Sequence, residues 1–419
     1  MKRNDETRRD FLKSAGLGSM AALGAGTLSP DVMSAVNILD PLIITKIEAI
    51  RFKERNMMWI RLHTNQGIVG LGETYPKTNS QIGALKDISR YLIGNDARKI
   101  ERIWRYLYDR GSHEVTGGAE MRIISAVNIA QWDILGKALG APIYALLGGK
   151  ARENIRVYNT TSNIRNGDTV WRNEQDIEKI CKFLYDRGVK AMKIWPYDPT
   201  ALKNDESYIS PVEIEKNLDW IRRIRDTLGN EMEICLEFHC HWNLTCALRI
   251  AKSLEPYNIM WLEDIIHPDN AKSYSILARE TSIPICVSER LASRFQFREM
   301  LESKAIDIAM YDTTWCGGIT SAKKISDYAD TYYIPSAPHT FGGPILWYSS
   351  IHVATALTNL WIMESGYNNY THSYPQYLKN VQVPVDGFVS PPEAPGLGLE
   401  VRPEIFENGT AIVETIAEI

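Results

Sequence analysis

Apolar positions in the first part of the chain form three short runs and then take up helical spacing. The runs cover 43–52, 57–63 and 68–73 and are rich in β-branched and aromatic residues, and Asn65-Gln66-Gly67 separates the last two. This pattern predicts a small antiparallel sheet. Apolar residues then recur with helical periodicity over 82–93, 100–108 and 123–139. Strands followed by helices are typical of an α+β domain, which we place at residues 42–150.

Beyond residue 150, short apolar runs alternate with amphipathic stretches, such as those at 212–228, 243–254 and 321–331. Eight strands joined by helical crossovers predict a TIM-type barrel over 151–383. Residues 384–419 contain frequent Pro and Gly without a barrel period, so we expect them to return to the N-terminal domain. The predicted barrel strands are 155–160, 191–195, 233–239, 259–264, 283–289, 306–312, 333–339 and 360–365.

Three of the short apolar runs in the predicted barrel each end in a glutamate. Glu237, Glu263 and Glu289 follow one another at intervals of 26 residues, a spacing that suits successive βα units. Because the carboxyl ends of barrel strands converge on one face, we expect the three carboxylates to meet. They would repel one another without a hard cation, and oxygen ligands are those that Mg²⁺ prefers. The alternative is three unrelated, solvated strand ends.

Polar residues that suit proton transfer also lie at or near the carboxyl ends of predicted strands. A histidine oriented by an aspartate can remove a proton near neutral pH, and a metal can stabilise the enediolate that forms next to a carboxylate. The alternatives are structural: a rim histidine, an aspartate that caps a loop, and a lysine paired with acids inside the barrel. The residues concerned are Lys193, His239, Asp312, His339 and Glu364.

Residues 1–35 resemble an export signal. Arg8-Arg9 is followed by Phe11-Leu12-Lys13 and then by a short apolar run rich in Gly and Ala. This order predicts twin-arginine export to the periplasm, and the run is too short for a membrane span. The alternative is a disordered tail.

The composition excludes further classes of function and of site. The net charge of −4 and the lack of a basic block beyond the N-terminus argue against nucleic-acid binding. The six cysteines include no CxxC pair, so we predict neither a disulfide framework nor a zinc site. A length of 419 residues with 44% hydrophobic residues suits a barrel with an additional domain.

Several short strings, in order and spacing, carry a resemblance to a known family. The chain resembles members of the mandelate racemase/muconate lactonizing enzyme family, which belongs to the enolase superfamily. Within that family it looks most similar to the acid sugar dehydratases of galactonate dehydratase type. The resemblance covers roughly 42–400 and implies an α/β fold, a modified (β/α)₇β TIM barrel with an α+β N-terminal capping domain that the C-terminal segment completes. The strings are Gly70-Leu71-Gly72-Glu73, Gln131-Trp132-Asp133-Ile134-Leu135-Gly136-Lys137, Glu237-Phe238-His239, Trp261-Leu262-Glu263-Asp264, Ser288-Glu289-Arg290, Tyr311-Asp312, Gly317-Gly318-Ile319-Thr320, Ala337-Pro338-His339, Gly343-Pro344 and Pro395-Gly396-Leu397-Gly398.

The resemblance implies Mg²⁺ as the cofactor, with Glu237, Glu263 and Glu289 matching its ligands. The first ligand in this family is usually Asp, so Glu237 puts the position of the metal in doubt. Lys193 matches the first lysine of the family's Lys-x-Lys motif, near the substrate carboxylate. The second lysine of that motif is replaced by Trp195.

The resemblance also implies roles in proton transfer. His339, paired with Asp312, matches the base that removes the α-proton, and His239 matches the residue that protonates the leaving hydroxyl. Glu364 matches the acid that hydrogen-bonds the substrate carboxylate or the enediolate. Without the second lysine, only His339 is an evident base. This argues against racemisation and for proton abstraction followed by β-elimination.

The leading hypothesis is a Mg²⁺-dependent lyase that dehydrates a sugar acid, a hexonate or 6-deoxyhexonate, to a 2-keto-3-deoxy acid. A second hypothesis is a cycloisomerase that opens an anhydro-sugar acid or lactone ring by the same elimination. A third is a non-catalytic periplasmic sugar-acid binding protein, since Glu237 departs from the usual ligand. Tyr75, His113 and Glu114 are candidates for specificity. We expect a small-molecule sugar acid as partner, and the resemblance implies a homo-oligomer.

Overall fold

The structure, a computed structural model, describes residues 40–53, 55–76, 78–111 and 117–419. The predicted export signal and two of the specificity candidates, His113 and Glu114, lie outside the described residues. In the described ranges, no helix is long and apolar enough to cross a membrane.

Strands occur in two main sheets and one hairpin. In chain order they are β1 (Ile44–Phe52), β2 (Met58–Thr64), β3 (Val69–Thr74), β4 (Ile155–Thr160), β5 (Asn163–Asn166), β6 (Thr169–Arg172), β7 (Ala191–Ile194), β8 (Glu233–Glu237), β9 (Ile259–Glu263), β10 (Ile285–Val287), β11 (Ile308–Ala309), β12 (Met363–Ser365), β13 (Phe388–Val389) and β14 (Ala411–Glu418).

Helices connect and cover these strands. In chain order they are α1 (Thr78–Ser89), α2 (Ile100–Tyr106), α3 (Gly118–Leu139), α4 (Ile143–Leu146), α5 (Asn173–Tyr185), α6 (Asp198–Lys203), α7 (Pro211–Asn217), α8 (Asp219–Leu228), α9 (Leu244–Leu254), α10 (Ala271–Glu280), α11 (Arg294–Glu302), α12 (Gly318–Asp330), α13 (Pro344–Thr355) and α14 (Glu404–Glu407).

The capping domain is an antiparallel sheet with the order β14-β1-β2-β3, on which α3 packs. The C-terminal strand β14 pairs with β1, so the end of the chain returns to the first strand, as the sequence predicts. Gly70 and Gly72 on β3 allow the close approach of α3. A Cβ atom at either position would lie about 2 Å from a backbone oxygen, that of Ala130 or Ala126 respectively.

The barrel strands run parallel in the order β11-β10-β9-β8-β7-β4-β12. Their residues are mostly apolar and almost all buried, which is typical of a parallel sheet covered by helices. Side chains fill the barrel interior below the carboxyl ends, among them Tyr158, Cys235, Trp261, Cys286 and Met310. The six cysteines are all buried, and none of them forms a disulfide bond.

The prediction of a regular seventh barrel strand at 333–339 is wrong. The segment forms only isolated parallel bridges, from Ser336 to Ala309 on one side and to Leu360 on the other, and from His339 to Asp312. Pro335 and Pro338 lack an amide hydrogen and so interrupt the ladder. The bridges still place this segment between β11 and β12, where it closes the barrel.

Other predicted barrel strands extended too far at their carboxyl ends. β8 ends at Glu237 rather than residue 239, and β10 covers only Ile285–Val287. His239 and Asp264 adopt left-handed backbone conformations with φ of 46° and 45°, which end strand pairing and turn the chain into the site. The hairpin of β5 and β6 is an additional feature that sequence analysis missed.

A buried carboxylate joins the capping domain to the barrel. Glu73, on β3, accepts hydrogen bonds from Nε1 of Trp59 at 2.8 Å and from the backbone N–H groups of Ile345 and Leu346 at 3.2 and 3.3 Å, in the first turn of α13. Burial raises the pKa of Glu73 to about 7. The contact therefore depends on pH in the neutral range.

Replacing Glu73 with Gln is expected to change how stability depends on pH. The folded-state pKa of about 7 exceeds the usual 4.5, so the stabilisation that protonated Glu73 contributes is complete below about pH 4.5 and is lost as the pH rises through 7. Between about pH 5 and pH 8, the free energy of unfolding of the wild type should fall relative to the variant by up to about 3 kcal/mol. Urea unfolding at both pH values measures this, and a pH-independent difference would contradict it.

Candidate active site

The three glutamates predicted to meet do lie together, at or just beyond the ends of β8, β9 and β10. Carboxylate oxygens of Glu237, Glu263 and Glu289 lie within 4.8 Å of one another. Burial raises the pKa of Glu237 to about 7, and burial together with Glu237 raises the pKa of Glu263 well above its usual value. Buried oxygen donors whose charges repel form a set that a hard divalent cation would satisfy. These residues therefore fit a metal ion of that kind.

Lys193, on β7, lies among the acidic side chains. Its Nζ is 2.5 Å from Oε1 of Glu263, 3.2 Å from Oε1 of Glu364 and 3.5 Å from Oε2 of Glu237, and the side chain is 3% exposed. Burial lowers the pKa of Lys193, but Glu263 and Glu364 outweigh this effect and raise it well above its usual value. The ammonium group stays charged and balances part of the negative charge of the cluster.

His339 lies between two carboxylates. Its Nδ1 is 2.8 Å from Oδ2 of Asp312, and its Nε2 is 2.7 Å from Oε2 of Glu289. Burial opposes protonation, but Glu289 raises the pKa of His339 well above its usual value. In turn, contact with His339 lowers the pKa of Glu289, although burial opposes this. Asp312 thus orients the ring, with Nε2 toward the glutamates.

Asp312 is itself fixed by several donors. Its Oδ2 accepts a hydrogen bond from the hydroxyl of Tyr75 at 2.7 Å, and its Oδ1 accepts bonds from the hydroxyl and the amide of Thr314 at 2.6 and 2.7 Å. Tyr75 belongs to the capping domain and follows β3. The sequence analysis named Tyr75 as a specificity candidate, and the structure places it against the His339–Asp312 pair.

Glu364, on β12, is fully buried beside the same groups. It accepts hydrogen bonds from the hydroxyl of Thr160 and from the backbone N–H of Thr340, the latter at 2.6 Å. Burial opposes ionisation, but Lys193 and His339 lower the pKa of Glu364. Glu364 is therefore an ionised acceptor next to the two basic side chains.

His239 is held by an aspartate that the sequence analysis did not identify. Its Nδ1 is 2.5 Å from Oδ2 of Asp198, the first residue of α6. Asp198 is 8% exposed, and its Oδ1 has no hydrogen-bond partner. Because Nδ1 of His239 contacts Asp198, Nε2 is the ring nitrogen that can interact with other groups. The only hint in the sequence is that Asp198 follows Trp195 closely in the same strand-end loop.

A cavity of about 240 Å³ opens between these groups. Glu237, Glu263 and Asp312 lie behind it, in contact with side chains that line it. A larger surface cleft, of about 890 Å³, lies along α6, α7 and α8 and is lined by none of the predicted site residues. The cavity is lined by Thr160, Lys193, Trp195, His239, Glu289, Trp315, His339, Phe341 and Glu364.

Two family profiles match the chain. Residues 34–148 match the mandelate racemase/muconate lactonizing enzyme N-terminal domain, and residues 176–405 match the enolase C-terminal domain-like family. The chain belongs to the mandelate racemase/muconate lactonizing enzyme family. The predicted family and the predicted fold, a barrel with a capping domain, are therefore confirmed.

Similar proteins in this family include enzymes named D-galactonate dehydratase. The one from Ralstonia nicotianae is 30% identical over 368 residues, which cover 85% of this chain and 92% of that protein. The one from Pectobacterium atrosepticum is 31% identical over 373 residues, which cover 86% and 93%. A solved enolase of the mandelate racemase subgroup from Agrobacterium tumefaciens is 35% identical, with a TM-score of 0.82 and coverage of 90% of this chain and 100% of that one.

Trp195 is where this member of the mandelate racemase/muconate lactonizing enzyme family departs from the Lys-x-Lys motif. It stands two residues after Lys193, lines the cavity and packs edge-on to His239, with ring centroids 5.7 Å apart. At this position, then, an indole borders the cavity where a second lysine would add a base. Sequence analysis also missed Trp315 and Phe341, which line the cavity from loops without a recognisable pattern.

Proposed function

We propose that this chain is a Mg²⁺-dependent dehydratase of a six-carbon sugar acid, with a 2-keto-3-deoxy acid as product. The observation that carries the proposal is that two histidines, each paired with an aspartate, line one cavity beside three clustered glutamates. The names of relatives at about 30% identity support the same class of reaction.

Substrate binding is assigned to the acidic and basic groups at the base of the cavity. Glu237, Glu263 and Glu289 would hold Mg²⁺, which would neutralise the negative charge that develops on the substrate carboxylate. Lys193 adds a fixed positive charge to the same region. Glu364, with Lys193 at 3.2 Å, lies where it can accept a hydrogen bond from a substrate hydroxyl next to the carboxylate.

The two histidines divide the proton transfers. The neutral form of His339 takes the proton from C2 at Nε2, while Asp312 on Nδ1 stabilises the resulting imidazolium. His239 delivers a proton from Nε2 to the 3-oxygen, which leaves as water, while Asp198 holds Nδ1. The enol that remains takes up a proton at C3 and releases the proton of its 2-hydroxyl to give the 2-keto acid. Trp195 offers no second base, so abstraction proceeds from one side.

The test is turnover of a panel of hexonates, 6-deoxyhexonates and anhydro-sugar acids with Mg²⁺, followed by mass spectrometry with and without a chelator. We expect a 2-keto-3-deoxy product lighter than the substrate by one water, and no product after chelation. A product of unchanged mass would indicate the cycloisomerase instead. Substrate binding without turnover would indicate the sugar-acid binding protein and contradict the proposal.

Replacing Asp198 with Asn is expected to lower kcat by about 10- to 100-fold with little change in KM. Asn keeps the size of the side chain but removes the charge that holds His239, and a hydrogen bond to a charged group contributes roughly 1.5–3 kcal/mol. The matched control is Glu206→Gln, because Glu206 pairs with Nδ1 of His241 at 2.7 Å and does not line the cavity. Equal effects of the two variants on kcat would contradict this role for Asp198.

A further inference from the structure

We propose that the substrate carries a second negatively charged group at the end of its carbon chain remote from C1. The inference rests on the proposed function and concerns the outer side of the same site. It comes from two adjoining clefts, the nearer of which borders the catalytic cavity at Phe341; arginines line these clefts, and no acidic side chain is among the described residues that line them.

The catalytic cavity and a second cleft border each other at one aromatic ring. Phe341 lines both the cavity and this cleft, which has a volume of about 210 Å³, and 41% of Phe341 is exposed. Tyr75, which donates to Asp312, lines the second cleft as well. The second cleft therefore lies next to the catalytic cavity, on the side of Phe341 and Tyr75.

The second cleft adjoins a third, of about 320 Å³, and the two share Arg55, Asn369 and Ser373. Arg165, on the β5–β6 hairpin, lines the third cleft. Arg55 comes from the β1–β2 connection of the capping domain, and Ser373 from the segment after β12. Loops of both domains thus bring two arginines to the outer side of the catalytic cavity.

Within the part of the chain that the structure describes, no acid neutralises the arginines of these clefts. The guanidinium of Arg55 donates to Oγ of Ser373 at 2.8 Å. No Asp or Glu is among the described residues that line either cleft, and neither Arg55 nor Arg165 forms an ion pair within the described part of the chain. Elsewhere in the protein, arginines commonly pair with carboxylates, as do Arg61, Arg98, Arg105, Arg156, Arg222 and Arg223.

The chemistry of guanidinium defines the ligand. Arginine binds carboxylate and phosphate groups through paired, charge-assisted hydrogen bonds. With C1 held beside Lys193, the remote end of a six-carbon chain is the part available to Arg55 and Arg165. The fitting substrates are a hexaric acid, with a carboxylate at C6, or a 6-phosphohexonate. Both differ from the hexonate or 6-deoxyhexonate expected from the sequence.

The experiment compares substrates that differ only at C6. The probes are galactonate with galactarate, and gluconate with glucarate and 6-phosphogluconate, each with Mg²⁺. The proteins are the wild type, Arg55→Gln, Arg165→Gln and the control Arg102→Gln, which alters an exposed arginine of α2 that lines neither cleft. For the wild type we expect kcat/KM at least about 10-fold higher for a doubly charged probe than for its hexonate partner.

The variants separate binding of the remote group from catalysis. Arg55→Gln and Arg165→Gln should raise KM for the doubly charged probe by about 10-fold, a larger change than for its hexonate partner, while Arg102→Gln should change KM for neither probe. Preference for the hexarate would identify a carboxylate, and preference for 6-phosphogluconate would identify a phosphate. Equal kcat/KM within each pair, or a preference that survives both variants, would overturn the inference while leaving the dehydratase assignment intact. Failure to dehydrate any probe would overturn both.

Discussion

Replacing His339 with Asn should abolish dehydration and also stop exchange of the substrate C2 proton with D₂O. Asn can still hydrogen-bond to Asp312 but cannot accept a proton, so the first chemical step is lost. General base catalysis contributes roughly 10²- to 10⁴-fold, and we expect a loss at the upper end because no second lysine replaces the base. Proton NMR of the substrate in D₂O, with Mg²⁺ present, measures the exchange directly.

The matched control for this variant is His241→Asn. His241 pairs with Glu206 and does not line the cavity, so the control should exchange the C2 proton at nearly the wild-type rate. Thermal unfolding of both variants checks that the fold is retained. Retained exchange in a folded His339→Asn protein would mean that another group is the base.

The second large effect is expected from Glu263→Gln, which should abolish Mg²⁺ binding and, with it, activity. Glu263 is fully buried, its Oε2 accepts a hydrogen bond from Nε1 of Trp261 at 2.9 Å, and its Oε1 contacts Lys193. Gln has one fewer acceptor oxygen and no charge, and its amide group would face Trp261 or Lys193 as a donor. We expect the Kd for Mg²⁺ to rise at least about 100-fold.

Isothermal titration calorimetry with Mg²⁺ measures this change without reference to activity. The matched control is Glu280→Gln, an exposed glutamate at the end of α10, which should bind Mg²⁺ as the wild type does. If Glu263→Gln retained wild-type affinity for Mg²⁺, the three glutamates would not be the metal site.

The positions of the main site residues could be predicted because they depend on the repeat itself. Glu237, Glu263 and Glu289 each follow a short apolar run at the same interval, and parallel strands bring their ends to one face. The same logic located Lys193 and Glu364, since each lies on or at the end of a strand. In these cases local periodicity is sufficient to fix the three-dimensional neighbourhood.

The remaining features depend on contacts between distant segments. Asp198 reaches His239 only because α6 begins beside the loop after β8, and Tyr75 reaches Asp312 only because the capping domain packs over the barrel. Neither contact leaves a pattern in the local sequence. The seventh strand was overpredicted for a local reason, because Pro335 interrupts a run that is otherwise β-like.

The central claim is that His339 and His239 carry out separate proton transfers, and the most direct test is His239→Gln in D₂O. With a sugar acid that the wild type dehydrates, proton NMR follows both C2 exchange and product formation. The C2 proton should still exchange, because His339 and Asp312 are unchanged, while loss of the 3-hydroxyl should slow by about 100-fold or more. Dehydration at the wild-type rate, or loss of exchange together with dehydration, would contradict the separate roles of the two histidines.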